Sequence, residues 1–322
     1  MKLAAAALPI AFALAFPAVA APAVVYDMGG KFDKSFNEAA YRGIERWKKE
    51  TGKPALEFEI ANESQREQAL RRMAERGATP IIAIGFSQAT MVEKVAKEFP
   101  KLQFTIIDGV AKLPNVQSVL FKEQEGSFLV GMIAELTSKT GKVGFIGGMD
   151  IPLIRKFLCG YEQGVKYANP KAEIFVNMVG TTGAAWNDPA RGGELARAQF
   201  AKQADVIFAA AGGTGMGIYQ AAKDAGKFAI GVDSNQNHLQ PGTMLTSMVK
   251  RVEVAVYDAA KNHKPGFVVL GLKEDGVDYA LDQYNAKLIS AEVKKKVDQA
   301  KADIVAGKIQ VADYMADNTC KN

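Results

Sequence analysis

Val24-Val25-Tyr26-Asp27-Met28-Gly29-Gly30-Lys31-Phe32-Asp33-Lys34-Ser35-Phe36-Asn37 is the stretch whose reading decides the fold. The β-branched run Val24-Val25-Tyr26 predicts a short strand that ends at Asp27. Gly29 and Gly30 then let the backbone turn where side chains would collide. Asp33, or Ser35 just after it, is placed to cap a helix running through Glu38, Ala39, Ala40, Tyr41, Ile44 and Trp47. A carboxylate, a loop and a helix start carrying Phe36 and Asn37 form a crevice at the C-terminal end of a strand, where open α/β sheets receive ligands. The same residues also suit an ordinary first βα unit, with Phe36 in the core and the acids as caps. A phosphate cradle is disfavoured, because the loop lacks G-x-G-x-x-G and carries Asp27 and Asp33.

The β-then-α order repeats outward from this unit. Residues 55–60 alternate as a strand, and 64–76 are an amphipathic helix with Leu70 and Met73 inward. Residues 79–85, Thr-Pro-Ile-Ile-Ala-Ile-Gly, form an apolar run of the kind buried on both faces of a parallel sheet. A helix from Ser87, a strand leading to Asp108-Gly109 and a strand at 116–120 complete a first doubly wound series. A long helix at 123–138 opens a second one, with strands at 142–148, 173–179, 206–211 and 228–232 and helices at 152–167, 188–203 and 216–225. Beyond it, strands are expected at 243–249, 266–272 and 277–281, and helices at 252–262 and 290–306. The fold class is therefore α/β, with two doubly wound lobes arranged as a clamshell.

Composition narrows the function classes. The 322 residues, 48% hydrophobic and 23% charged, describe a globular chain long enough for two domains of ordinary size or one large one. The formal net charge of +5 is scattered except at Lys294-Lys295-Lys296, so no nucleic-acid stripe is present. Residues 1–20 read as a secretory leader: Lys2, an apolar region over 3–16, and an Ala18-Val19-Ala20 cleavage site. No cysteine stands at that point, so the reading is an exported, periplasmic protein without a lipid anchor. Cys159 and Cys320 are an even pair in an oxidising compartment and suggest one disulfide; two independent thiols are the alternative. With two cysteines, His238 and His263, no metal-site spacing appears, and no cofactor motif is found.

Gly-Gly-Lys-Phe-Asp-Lys-Ser-Phe-Asn followed by Tyr41-x-Gly43 resembles the opening signature of the basic membrane protein family, substrate-binding proteins of ABC importers. The resemblance runs along nearly the whole mature chain. It implies a type I periplasmic binding protein whose chain crosses between lobes three times. Residues 21–120 with about 241–273 would form the first lobe, and 121–240 with about 274–322 the second. It also implies a monomer that binds a purine nucleoside or base, with an inner-membrane ABC permease as partner.

The resemblance assigns roles to residues near strand ends. Phe36 would stack on the base, and Asn37 and Asp108 would bond its edge. Asp233 would take ribose hydroxyls with Lys250 close by, and Asp27 would bond the ribose or orient the loop. Gly212 and Gly213 would let the backbone approach the ligand. Trp186 is a candidate for the second base face, and Ser87 and Gln88 for the first-lobe wall. Each has a plainer reading. Asp233 before Ser-Asn-Gln and Asp108 before Gly109 are turn-initiating positions. Lys250 sits among surface charges, Trp186 suits packing beneath the next helix, and Ser87 suits an N-cap.

Three function classes remain to be separated. A nucleoside hydrolase would want a calcium-binding aspartate cluster, and a phosphorylase an anion cradle; neither pattern is present, nor a Ser/His/Asp set. A receptor for a sugar or other small solute would use the same aromatic and carboxylates. The expected function is a periplasmic substrate-binding protein and not an enzyme.

Overall fold

The computed structural model describes residues 20–320, so the leader expected at 1–20 falls almost wholly outside the described residues. The elements in chain order are β1 (Ala23–Tyr26), α1 (Phe36–Thr51), β2 (Leu56–Glu59), α2 (Gln65–Glu75), β3 (Ile81–Ile84), α3 (Ala89–Glu98), β4 (Phe104–Ile107) and β5 (Val116–Phe121). The second series is α4 (Glu123–Thr137), β6 (Lys142–Met149), α5 (Pro152–Ala168), β7 (Glu173–Gly180), α6 (Pro189–Ala201), β8 (Val206–Ala210), α7 (Gly215–Asp224), β9 (Phe228–Asp233) and β10 (Met244–Lys250). Then follow α8 (Val252–Asn262), β11 (Gly266–Leu270), β12 (Val277–Tyr279), α9 (Ala291–Val305) and α10 (Tyr314–Asp317).

Two six-stranded sheets result, in the orders β11-β5-β4-β3-β1-β2 and β12-β10-β9-β8-β6-β7. All pairings are parallel except β10 with β12. β1, β3 and β4 are buried along their whole length, as helices on both faces of a parallel sheet require. The chain passes between sheets after β5, after β10 and after β11, which gives three crossings. One expectation is corrected here. Residues 241–273 do not all belong to the first lobe: β10 lies beside β9 in the second sheet, while β11 extends the first and α8 packs on α1. Periodicity marks a strand but not its partner, so the crossing was placed one strand early.

One apolar core includes residues of both lobes, from Val24 and Ile44 to Phe208 and Val232. A smaller core lies on the other face of each sheet, around Leu70 and Phe104 in the first and Tyr219 and Ile207 in the second. In the second lobe α4 and α5 pack very closely. A side chain at Gly164 would overlap the backbone of Phe128 on the facing helix. Cys159 on α5 is joined to Cys320 by a disulfide between Cα atoms 5.5 Å apart.

Because backbone and not a flexible side chain opposes Gly164, Gly164→Ala should lower the unfolding free energy by about 1–3 kcal/mol. Urea denaturation measures this; an unchanged midpoint would mean that the two helices separate without cost.

Candidate functional site

The β1–α1 unit builds one wall of a cleft between the sheets. Asp33, three residues before α1, accepts the backbone N–H groups of Ser35 (2.8 Å), Asn37 (3.0 Å) and Glu38 (3.1 Å). It is therefore the cap that starts the helix, while Ser35 turns its hydroxyl elsewhere. Burial pushes the Asp33 carboxyl up to about 7, against the effect of those three N–H donors. Phe36 opens the helix and faces the cleft.

The cleft spans about 590 Å³ when the space open to solvent is counted. The first lobe contributes Asp27, Met28, Asp33, Phe36, Asn37, Phe86 and Asp108, and the second Leu153, Ile154, Phe157, Trp186, Ala210, Gly212, Val232, Asp233 and Lys250. The walls are thus largely apolar and the carboxylates few. The lobes meet beside it: Ser35 Oγ donates to Asp233 Oδ2 at 2.7 Å, and Ser234 Oγ donates to the Ser35 carbonyl at 2.7 Å.

Its electrostatic centre is Lys250, 2% exposed. The ammonium lies 2.5 Å from Asp108 Oδ2, 3.6 Å from Glu123 Oε1 and 3.7 Å from Asp233 Oδ1. It also lies over the rings of Phe36 (4.7 Å), Phe157 (5.3 Å) and Phe121 (5.4 Å), within cation–π range. Burial works against its charge, but Asp108, Asp233 and Glu123 overcome it and hold the pKa above that of an ordinary lysine. Burial raises Asp108 to about 6 and raises Asp233, in both cases against Lys250. Asp108 and Asp233 follow corresponding strands of the two lobes, and both have left-handed backbones, φ 63° and 62°. Aspartate tolerates that region better than most residues, and strained positions gather at binding sites.

The structure brings Asp27, Phe36, Asn37, Asp108, Trp186, Gly212, Asp233 and Lys250 to the cleft. Three expected residues do not line it. Gln88 is fully buried, and its Nε2 donates to the carbonyls of Val25 (3.0 Å) and Ile84 (2.8 Å), bracing two strands. Ser87 acts one step back: its hydroxyl donates to Asp27 Oδ2 at 2.7 Å. Gly213 is not among the lining residues; a Cβ there would meet the Trp186 carbonyl.

Asn37 lines the cleft, but its amide is committed to the loop. It accepts from the Asp27 N–H (3.1 Å) and donates to the carbonyls of Asp27 (3.2 Å) and Gly30 (3.3 Å). Asp27 is likewise held, accepting from Met28 N–H at 2.8 Å and lying 3.4 Å from Arg66. Both therefore shape the loop.

Trp186 lies against Gly148, where any side chain would strike the indole. Phe157 was missed, with Leu153 and Ile154, on the first turns of α5. The signal was available in the repeat: β6–α5 occupies the place in the second lobe that β1–α1 holds in the first. Among the described residues no group of three or more His, Cys, Asp or Glu is arranged to hold a metal ion, and no helix is long and apolar enough to cross a membrane.

Residues 20–314 match the family described as ABC transporter substrate-binding protein PnrA-like. The chain belongs to this family. A CD4+ T-cell-stimulating antigen of Listeria monocytogenes is 35% identical, covering 90% of this chain and 87% of the relative. The ABC transporter nucleoside-binding protein BmpA of Lactococcus lactis is 33% identical, covering 90% and 88%. A solved ABC-transporter solute-binding protein of Aeropyrum pernix superposes with a TM-score of 0.83 at 29% identity, covering 90% of this chain and 92% of that one. The two lobes are thus those of a type I periplasmic binding protein, and this substrate-binding protein is not an enzyme. Its ligand is a small molecule and its partner an ABC permease.

Removing the Lys250 ammonium leaves Asp108, Asp233 and Glu123 without the cation they share, so Lys250→Met should cost about 3–5 kcal/mol of stability. Chemical denaturation checks this, and a loss below the scatter of surface variants would show that the carboxylates are neutral. A second outcome concerns pH. The folded pKa of Asp108 is raised from 3.8 to about 6, so the folded chain holds an extra proton between those values. Its contribution to stability is complete below the lower value and is lost as pH rises through the upper. Asp108→Asn should flatten that part of the stability–pH curve; an unaltered slope would assign it to other groups.

Proposed function

We propose that this substrate-binding protein is a periplasmic receptor that closes on a purine nucleoside or purine base and delivers it to the permease of an ABC importer. The observation that carries the reading is the cleft itself. Phe36 from the first lobe and Phe157 and Trp186 from the second line it, with Asp108, Asp233 and Lys250 beside them. A purine ring fits the aromatic faces, and its N–H groups and the ribose hydroxyls suit carboxylate acceptors. The carboxylates disfavour a nucleotide, since Lys250 is already paired. The Lactococcus lactis relative, described as nucleoside-binding, supports the same ligand class.

In this reading the protein works as a monomer, is exported by residues 1–20 and is cleaved after Ala20. A sugar would use Asp108, Asp233 and one ring, but would leave much of the apolar lining uncovered. The hinge motion would bury the ligand, and the ligand would favour the closed state.

Calorimetry on unfolded and refolded mature protein should show tight binding of guanosine or adenosine and none of free ribose. Binding of adenine or hypoxanthine without nucleosides would reassign Asp233 away from the sugar, and silence across the series would end the purine reading. Phe36→Ala should lose ~1–3 kcal/mol, the worth of one base–aromatic stack. Asp233→Ala should weaken nucleosides more than bases. Wild-type affinity in the Phe36 variant would remove that ring from the site.

A further inference from the structure

The lysine that faces the cleft is one end of a longer chain of buried charge. Glu123, the first residue of α4 and 1% exposed, places Oε1 3.6 Å from Lys250 Nζ and Oε2 3.0 Å from Lys156 Nζ. Lys156 donates to the Phe121 carbonyl at 2.7 Å and lies 3.4 Å from Asp313 Oδ2. Asp313 caps α10, accepting the Met315 N–H at 2.9 Å. The tail is fastened to α5 beside it. Gln163 donates to the Ala312 carbonyl at 3.1 Å and accepts its N–H at 2.8 Å, and Cys320 is bonded to Cys159. Alternating charges therefore run from Asp108 through Lys250, Glu123 and Lys156 to Asp313, crossing from the first lobe to the C-terminal tail.

Glu123 is supported by two lysines. Without Lys156 it would compete with Asp108 and Asp233 for Lys250. Its repulsion already contributes to raising both aspartates. Asp313 and Glu123 in turn hold the Lys156 charge against its burial. The strength of Lys250 toward the cleft thus depends on a pair that does not line the cleft.

We propose that Lys156 and Asp313 are positioning residues for ligand binding: through Glu123 they hold Lys250 toward Asp108 and Asp233, so the disulfide-anchored tail tunes the affinity of a cleft it does not touch. This rests on the reading of the cleft as the ligand site.

The test compares nucleoside affinity in wild type, Lys156→Met, Lys156→Arg, Asp313→Asn, Cys159→Ser/Cys320→Ser, and Lys156→Met combined with Glu123→Gln. Lys156→Met should weaken binding about tenfold, an ordinary coupling within one network. Lys156→Arg should restore most of it, as should Glu123→Gln in the Lys156→Met chain, because the surplus negative charge is gone. Asp313→Asn and the cysteine pair should weaken binding in the same direction by less. Wild-type affinity in Lys156→Met, or a double variant worse than the single one, would overturn the proposal. A ligand-free readout separates it from the purine reading. In a Trp47→Phe, Asp33→Asn background, which removes the second tryptophan and the other raised carboxyl of the cleft, the pH midpoint of Trp186 fluorescence reports Asp108 and Asp233, the cleft carboxylates facing Lys250. That midpoint should rise in Lys156→Met, and an unmoved midpoint would overturn the relay. If wild type binds no purine, the ligand assignment falls and this titration alone decides the relay.

Discussion

A single ammonium group, Lys250 Nζ, joins the two lobes electrostatically at the cleft. It leaves the second sheet at the end of β10 and bonds Asp108, which leaves the first sheet at the end of β4. A buried ion pair is expensive to form and more expensive to break, so its partners must stay in place. Here three carboxylates and three phenyl rings surround one cation. The one ammonium at the cleft is thus already paired within the protein.

Around that centre, the residues divide by task. Asn37, Ser87 and Arg66 do not reach outward; they hold Asp27 and its loop. Asp33 starts α1 and so aims Phe36. Apolar side chains from the start of α5 and from the Trp186 loop supply the opposite wall. Each sheet therefore contributes the end of a strand for polarity and the start of a helix for surface, the arrangement open α/β sheets favour.

Much of this was legible in the chain. Short, β-branched apolar runs such as Ile81–Ile84 and Val206–Ala210, bounded by glycine turns, suit buried strands, and the amphipathic periods between them set the helices. That Phe36, Asp108, Asp233 and Lys250 reach the cleft was legible because the last three stand at strand ends and Phe36 lies in the family signature at the start of α1. Gln88 was misread, since a polar residue after a strand looks the same whether it faces a ligand or braces two carbonyls. Phe157 was hidden in a helix whose apolar face serves core and cleft together. The links among residues 108, 123, 156, 250 and 313 are long-range, and no local pattern announces them. The strand at 244–250 was assigned to the wrong sheet for the same reason: partner choice is not written in periodicity.

The order of strands carries a consequence for how the protein comes into being. Each sheet takes an edge strand, β11 or β12, from the C-terminal part of the chain, and the disulfide waits for Cys320. During synthesis the first sheet waits for β11, made only shortly before β12 closes the second, although most of the first is made long before. The two sheets are therefore completed close together, and a chain cut short before residue 266 would emerge with both sheets one strand incomplete.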